Sequence, residues 1–146
     1  MKKSQRFTII AELAKSKEQA AAKELGASNR LHAENIHKLE SLKQYRVEYL
    51  KRFTNDGQAG MDVNVMHTYK SFIEGIEQAI REQQIQIIES EQRCLESKIK
   101  WQQVHSKTEI MNTTVERYKN QESTAENRRE QKETDDRPLR NRLSTE

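Results

Sequence analysis

Residues 76–101 read IEQAIREQQIQIIESEQRCLESKIKW, and one spacing runs through them. Ile76, Ile80, Gln83, Ile87, Ser90, Cys94, Ser97 and Trp101 are separated alternately by four and three. That alternation is the signature of a helix with one face against a partner helix. Outward from this stretch the series continues through Met66, Tyr69 and Ile73 on one side. On the other it runs through Val104, Thr108, Met111, Val115 and Tyr118, without a stutter. A weaker series precedes it: Phe7, Ala11, Ala14, Ala21, Leu25, Ser28, Leu39, Leu42, Tyr49 and Phe53, with polar Glu18, His32, Asn35 and Arg46 at the intervening positions.

Composition points the same way. In 146 residues, 34% are charged and 33% hydrophobic, with a mean hydropathy of -1.08, too little apolar material for an ordinary globular core. Four glycines and one proline leave out most of the turns that a sandwich, barrel or α/β fold requires. The reading is all-α, an elongated two-helix antiparallel coiled-coil hairpin. Its boundary is Thr54-Asn55-Asp56-Gly57-Gln58-Ala59-Gly60, a string of turn formers. The chain therefore divides into an N-terminal helical arm over 1–53, a turn over 54–62 and a C-terminal arm over 63–125. A charged tail over 126–146 follows, expected to fray or be disordered, since Pro138 disfavours helix at Arg137.

Charge supports intramolecular pairing. The first arm carries 12 basic and 6 acidic side chains, a net +6, and residues 54–125 carry 8 and 11, a net -3. Parallel self-pairing of the first arm would set like charges together. A monomer is expected, with a homo-oligomeric structural scaffold as the alternative.

Catalytic and cofactor patterns are not found. There is no glycine-rich phosphate loop, and the four histidines lack the spacing that places two metal ligands on one helix face. Cys94 lies on the apolar series, where a thiol behaves as a small hydrophobe. A basic stripe for nucleic acid is absent, because acidic residues interrupt every basic run. The N-terminal apolar stretch is broken at Glu12, short of a signal-peptide core, and no window approaches a membrane span of ~18 apolar residues. The expectation is a cytoplasmic protein that is not membrane-inserted, not an enzyme, and without cofactor or metal.

A two-helix seam needs one stripe per arm, yet the region beside the turn has more. Tyr45 stands three and four residues from Leu42 and Tyr49, and Phe72, Ile76, Ala79 and Gln83 make a second stripe on the other arm. Five of the eight aromatic residues fall between Tyr45 and Phe72. Part of this set should face water, as partner sites do.

The chain also resembles the FliJ family of the flagellar type III export apparatus. The resemblance rests on Leu25-Gly26, Leu42-x-x-Tyr45-x-x-Glu48-Tyr49, Tyr69-x-x-Phe72-Ile73-x-x-Ile76-Glu77-x-Ala79-Ile80, Trp101, and Ala125-Glu126-Asn127-Arg128-x-x-Gln131-Lys132. It implies a hairpin similar to the central stalk of rotary ATPases, located at the inner face of the flagellar basal body. The end where the termini meet would enter the ring of the export ATPase FliI and promote its hexamerisation. The tip would contact the cytoplasmic linker of the membrane export-gate protein FlhA and bind and recycle empty export chaperones. By the same resemblance the gate-binding surface is Leu42, Tyr45, Tyr49, Phe72, Ile76 and Ala79, with Lys38 and Gln83 at its edges. Lys132-Glu133-Thr134-Asp135-Asp136 followed by Pro138 departs from the family pattern.

Overall fold

The computed structural model describes the backbone of residues 1–143 and the side chains of residues 1–137. Two helices account for nearly all of it, α1 (Lys3–Ala59) and α2 (Val63–Leu143), with no strand among the described residues. They pack as an all-α helical hairpin in which two compact units are distinguished. One comprises Met1–Ala20 with Gln102–Glu146, the other Ala21–Trp101.

In the unit of residues 21–101 the four-three series is the packed seam. Ala21, Leu25, Ser28, His32, Asn35, Leu39, Leu42, Arg46, Tyr49 and Phe53 of α1 are all buried or half-buried, as are Tyr69 through Trp101 at the corresponding positions of α2. Met66 is the exception at 42% exposed. Past the edge-to-face pair of Phe53 and Tyr69, at 5.9 Å between centroids, residues 54–60 are all exposed. The reversal is tighter than the run of turn formers suggests. α1 continues through Thr54–Ala59, and only residues 60–62 lie between the helices.

Gly60 makes this possible. At φ 91° it takes the left-handed conformation favoured just past a helix end, and its N–H returns to the Gly57 carbonyl at 3.4 Å, the bond expected of such a terminus. Asp62 opens α2, its carbonyl accepting from the Met66 N–H at 3.0 Å. A carboxylate there also suits the positive end of the helix dipole.

In the unit of residues 1–20 and 102–146, Phe7 stacks on Tyr118 at 5.0 Å, and Ala11 and Val115 are 7% exposed. The start of α1 is capped from the other helix. The Glu122 carboxylate accepts from the Ser4 N–H at 3.1 Å and from its hydroxyl at 2.6 Å. Gln5 reaches back to the Lys2 N–H at 3.2 Å, half of a capping box. Beyond Glu122 every α2 side chain to Arg137 is exposed. The segment expected to fray is helical to Leu143: Glu, Arg, Gln and Lys are good helix formers, and Pro138 is its only strong breaker. Residues 144–146 of the expected tail lie outside the described backbone.

Candidate functional site: an aromatic surface beside the turn

The eight residues singled out from sequence do not share one environment. Tyr45 at 54% and Phe72 at 47% are exposed, as is Lys38; Leu42, Tyr49, Ala79 and Gln83 are half-buried. Ile76, at 8% exposed, belongs to the core. The helical period explains the mixture, because Ile76 and Gln83 sit on the seam while Phe72 and Ala79 lie beside it.

Three aromatic rings form a ladder across the two helices. Tyr45 stacks on Tyr49 at 5.7 Å and Tyr49 on Phe72 at 4.4 Å, while the Arg52 guanidinium lies 5.4 Å from the Tyr49 ring. Both outer rings keep about half their surface in water, so the ladder is anchored at its centre and open at its ends. Nearer the turn the Tyr69 hydroxyl donates to the Asp56 carboxylate, which raises the phenol above its ordinary value.

Leu42, Phe72, Ile76 and Ala79 also line a shallow groove, and with them His67, Thr68, Ser71 and Gly75. Gly75 is the informative addition. A Cβ built there meets nothing within 4 Å, so the missing side chain leaves open space in the groove, although a glycine inside a helix costs about 0.8–1.0 kcal/mol against alanine. Lys38 and Gln83 differ from the rest. Gln83 turns inward, its amide donating to the Asn35 backbone carbonyl at 2.9 Å and side-chain oxygen at 3.3 Å, and the groove includes neither residue.

The surface offers shape and stacking rather than chemistry. Among the described residues no group of three or more His, Cys, Asp and Glu is placed to hold a metal ion, and no helix is long and apolar enough to cross a membrane. Cys94 is half-buried on the seam, its thiol donating to the Ser28 carbonyl at 3.2 Å.

Comparison with known proteins gives this surface a context. The Flagellar FliJ protein of Escherichia coli K12 is 28% identical over 130 residues, which cover 89% of this chain and 88% of that one. No solved structure matches the chain. The family profile described as Flagellar FliJ protein matches residues 2–143, and a match that runs through both helices and the turn between them places the chain in the flagellar FliJ family.

Proposed function

We propose that the chain is a non-enzymatic component of flagellar protein export that works as a coiled-coil adaptor. The surface formed by Leu42, Tyr45, Tyr49, Phe72, Ile76 and Ala79 docks on the cytoplasmic linker of the export-gate protein FlhA and on export chaperones. Lys38 and Gln83 lie at its edge. The unit that holds the start of α1 and the later part of α2 enters the ring of the export ATPase FliI and promotes its hexamerisation. The protein acts at the inner face of the basal body, as a monomer when free.

The observation that carries the tip assignment is the ladder Tyr45–Tyr49–Phe72, whose outer rings are 54% and 47% exposed. Large aromatic side chains in partial contact with water beside a groove are the usual anchors of a protein interface. Binding of the isolated gate linker is the test, measured for the wild-type chain and for Tyr45→Ala and Phe72→Ala. A loss of about tenfold or more, with helicity unchanged, is expected of hot-spot residues. Unchanged affinity in both variants would remove the tip assignment. Stimulation of FliI hydrolysis by the wild type and by Tyr45→Ala alike would place the ATPase contact elsewhere on the chain.

A further inference from the structure

A seam residue has one sequence neighbour before it and one after it, and the helical period turns the two to opposite sides of the hairpin. In the unit of residues 1–20 and 102–146 these sides differ in charge. Positions just after the seam, Thr8, Glu12 and Lys15 of α1 with Asn112, Glu116 and Lys119 of α2, line one common groove. With Glu109 next along α2, that side carries three acidic and two basic residues. Positions just before the seam make up the other side. Lys3, Arg6, Ile10, Leu13 and Lys17 supply it from α1, and Lys107, Ile110 and Arg117 from α2, all exposed. It holds five basic residues and no acidic one. Lys3 and Arg117, one from each helix, lie 5.8 and 5.7 Å from the centre of the same Tyr118 ring. Two carboxylates on the seam are already engaged, Glu18 with His105 and Glu122 with Ser4. Glu12 interrupts the basic run in sequence, yet the helix turns it away from this side. The positive excess of the chain lies here, since residues 1–17 hold five basic and one acidic side chain, net +4, against +3 for the whole chain.

The basic side is also apolar. Ile9, Ile10 and Leu13 are 57%, 46% and 57% exposed and Ile110 60%, so short aliphatic side chains stand among long cationic ones. We propose that this side of the unit is a peripheral docking surface for an anionic membrane. A lipid surface has the matching layers, a plane of negative headgroups above an apolar one. The aliphatic side chains sink between the headgroups while lysine and arginine extend to the phosphates. A second copy of the same side would set cation against cation, and a bare polyanion would leave the four aliphatic side chains uncovered. This goes beyond the ATPase contact assigned to the same unit. A side resting on lipid is withdrawn from a ring lumen, so the two placements alternate.

The test is flotation of the full-length chain with vesicles of phosphatidylcholine, alone or with about one-third phosphatidylglycerol. Binding to the anionic vesicles should exceed binding to the neutral ones by at least about tenfold, and should fall as salt is raised. Two charge reversals of equal net change distinguish a face from bulk charge. Arg6→Glu with Lys17→Glu should weaken anionic binding by about tenfold or more, whereas Lys15→Glu with Lys119→Glu, on the groove side, should leave most of it. Ile10→Ser with Leu13→Ser should also weaken it by about tenfold, with helicity unchanged because both side chains are exposed. Equal binding to the two vesicle types, no binding to either, or equal losses in the two charge-reversal pairs overturns the proposal. Anionic binding that the Ile10→Ser, Leu13→Ser variant retains in full also overturns it, and would assign the side to a polyanion such as nucleic acid or an acidic protein.

Discussion

The unit of residues 21–101 is held together in two different ways along its length. Away from the turn its seam interleaves polar pairs with its apolar residues: Ser28 with Ser97 at 3.0 Å, His32 with Ser90 at 2.8 Å, and Gln83 with Asn35. Asn35, Ser90 and Ser97 are buried like the apolar core residues, at 7%, 3% and 8% exposed. Beside the turn, rings and aliphatic side chains replace them, and several overflow into solvent. The polar stretch supplies specificity, since sliding one helix along the other would leave these groups buried and unpartnered. Among the described residues no buried side-chain nitrogen or oxygen lacks a hydrogen-bond partner. The aromatic stretch can give up surface to a partner because its neighbours already hold the helices together.

The sharpest way to separate the two is to truncate each. Ile80→Ala, at a site 4% exposed, should cost about 2–5 kcal/mol in urea unfolding, whereas Tyr45→Ala should cost far less and act on binding. Asn35→Ala should follow at about 1 kcal/mol, because the Gln83 amide loses its 3.3 Å bond to the Asn35 side-chain oxygen but keeps the one to the backbone carbonyl. Restoring stability with the paired replacement Asn35→Leu, Gln83→Leu, read as the same unfolding midpoint, would show that the polar pair serves register more than strength. Gly75→Ala should raise stability by about 0.5–1 kcal/mol while placing a methyl in the groove, so a more stable protein that binds the gate linker less well is expected.

The smallest effects are those of pH, and they belong to the other unit. Glu18 accepts a hydrogen bond from His105, whose second nitrogen faces Glu109 at 3.2 Å. The bond to Glu18 lifts His105 above its ordinary value, and the same bond draws Glu18 below the usual carboxylate range. Hydrogen bonds from the Ser4 hydroxyl and N–H lower Glu122 as well. A raised histidine contributes stability fully below its unfolded value and loses it as pH rises through the folded value. Lowered carboxylates contribute above their unfolded value and lose it as pH falls through the folded one. Thermal stability should therefore decline on both sides of a mildly acidic maximum. His105→Ala should flatten the alkaline limb and Glu122→Gln the acidic one.

The seam was legible from residue spacing alone, because the helical period leaves little choice of which side chains meet. Even the polar members Glu18, His32, Asn35 and Arg46 fall on it. The turn was less legible. Asn55, Asp56 and Gly57 have turn chemistry yet stay helical, where Asp56 meets the Tyr69 hydroxyl, and one left-handed glycine completes the reversal. At the candidate site, surplus apolar residues announced an exposed surface. Ile76, which the spacing places on the seam as well as in the second stripe, belongs to the core; what the spacing did not reveal is that Gly75, His67, Thr68 and Ser71 shape the groove, since small and polar side chains carry no periodic signal. The Glu122 cap on α1 was invisible for another reason: it depends on a register between segments more than a hundred residues apart.

The three-residue connection at Gly60 has a consequence for how such a chain can change length. Every cross-helix pair in the hairpin is counted from that turn, so losing one residue from either helix would rotate all positions beyond it by about 100° and bring the wrong faces together. Only removal or gain of whole seven-residue blocks, matched in both helices, preserves the pairing. Insertions and deletions among relatives are thus expected as coupled heptad pairs, a form of inheritance in which two distant stretches of one gene must lengthen or shorten together.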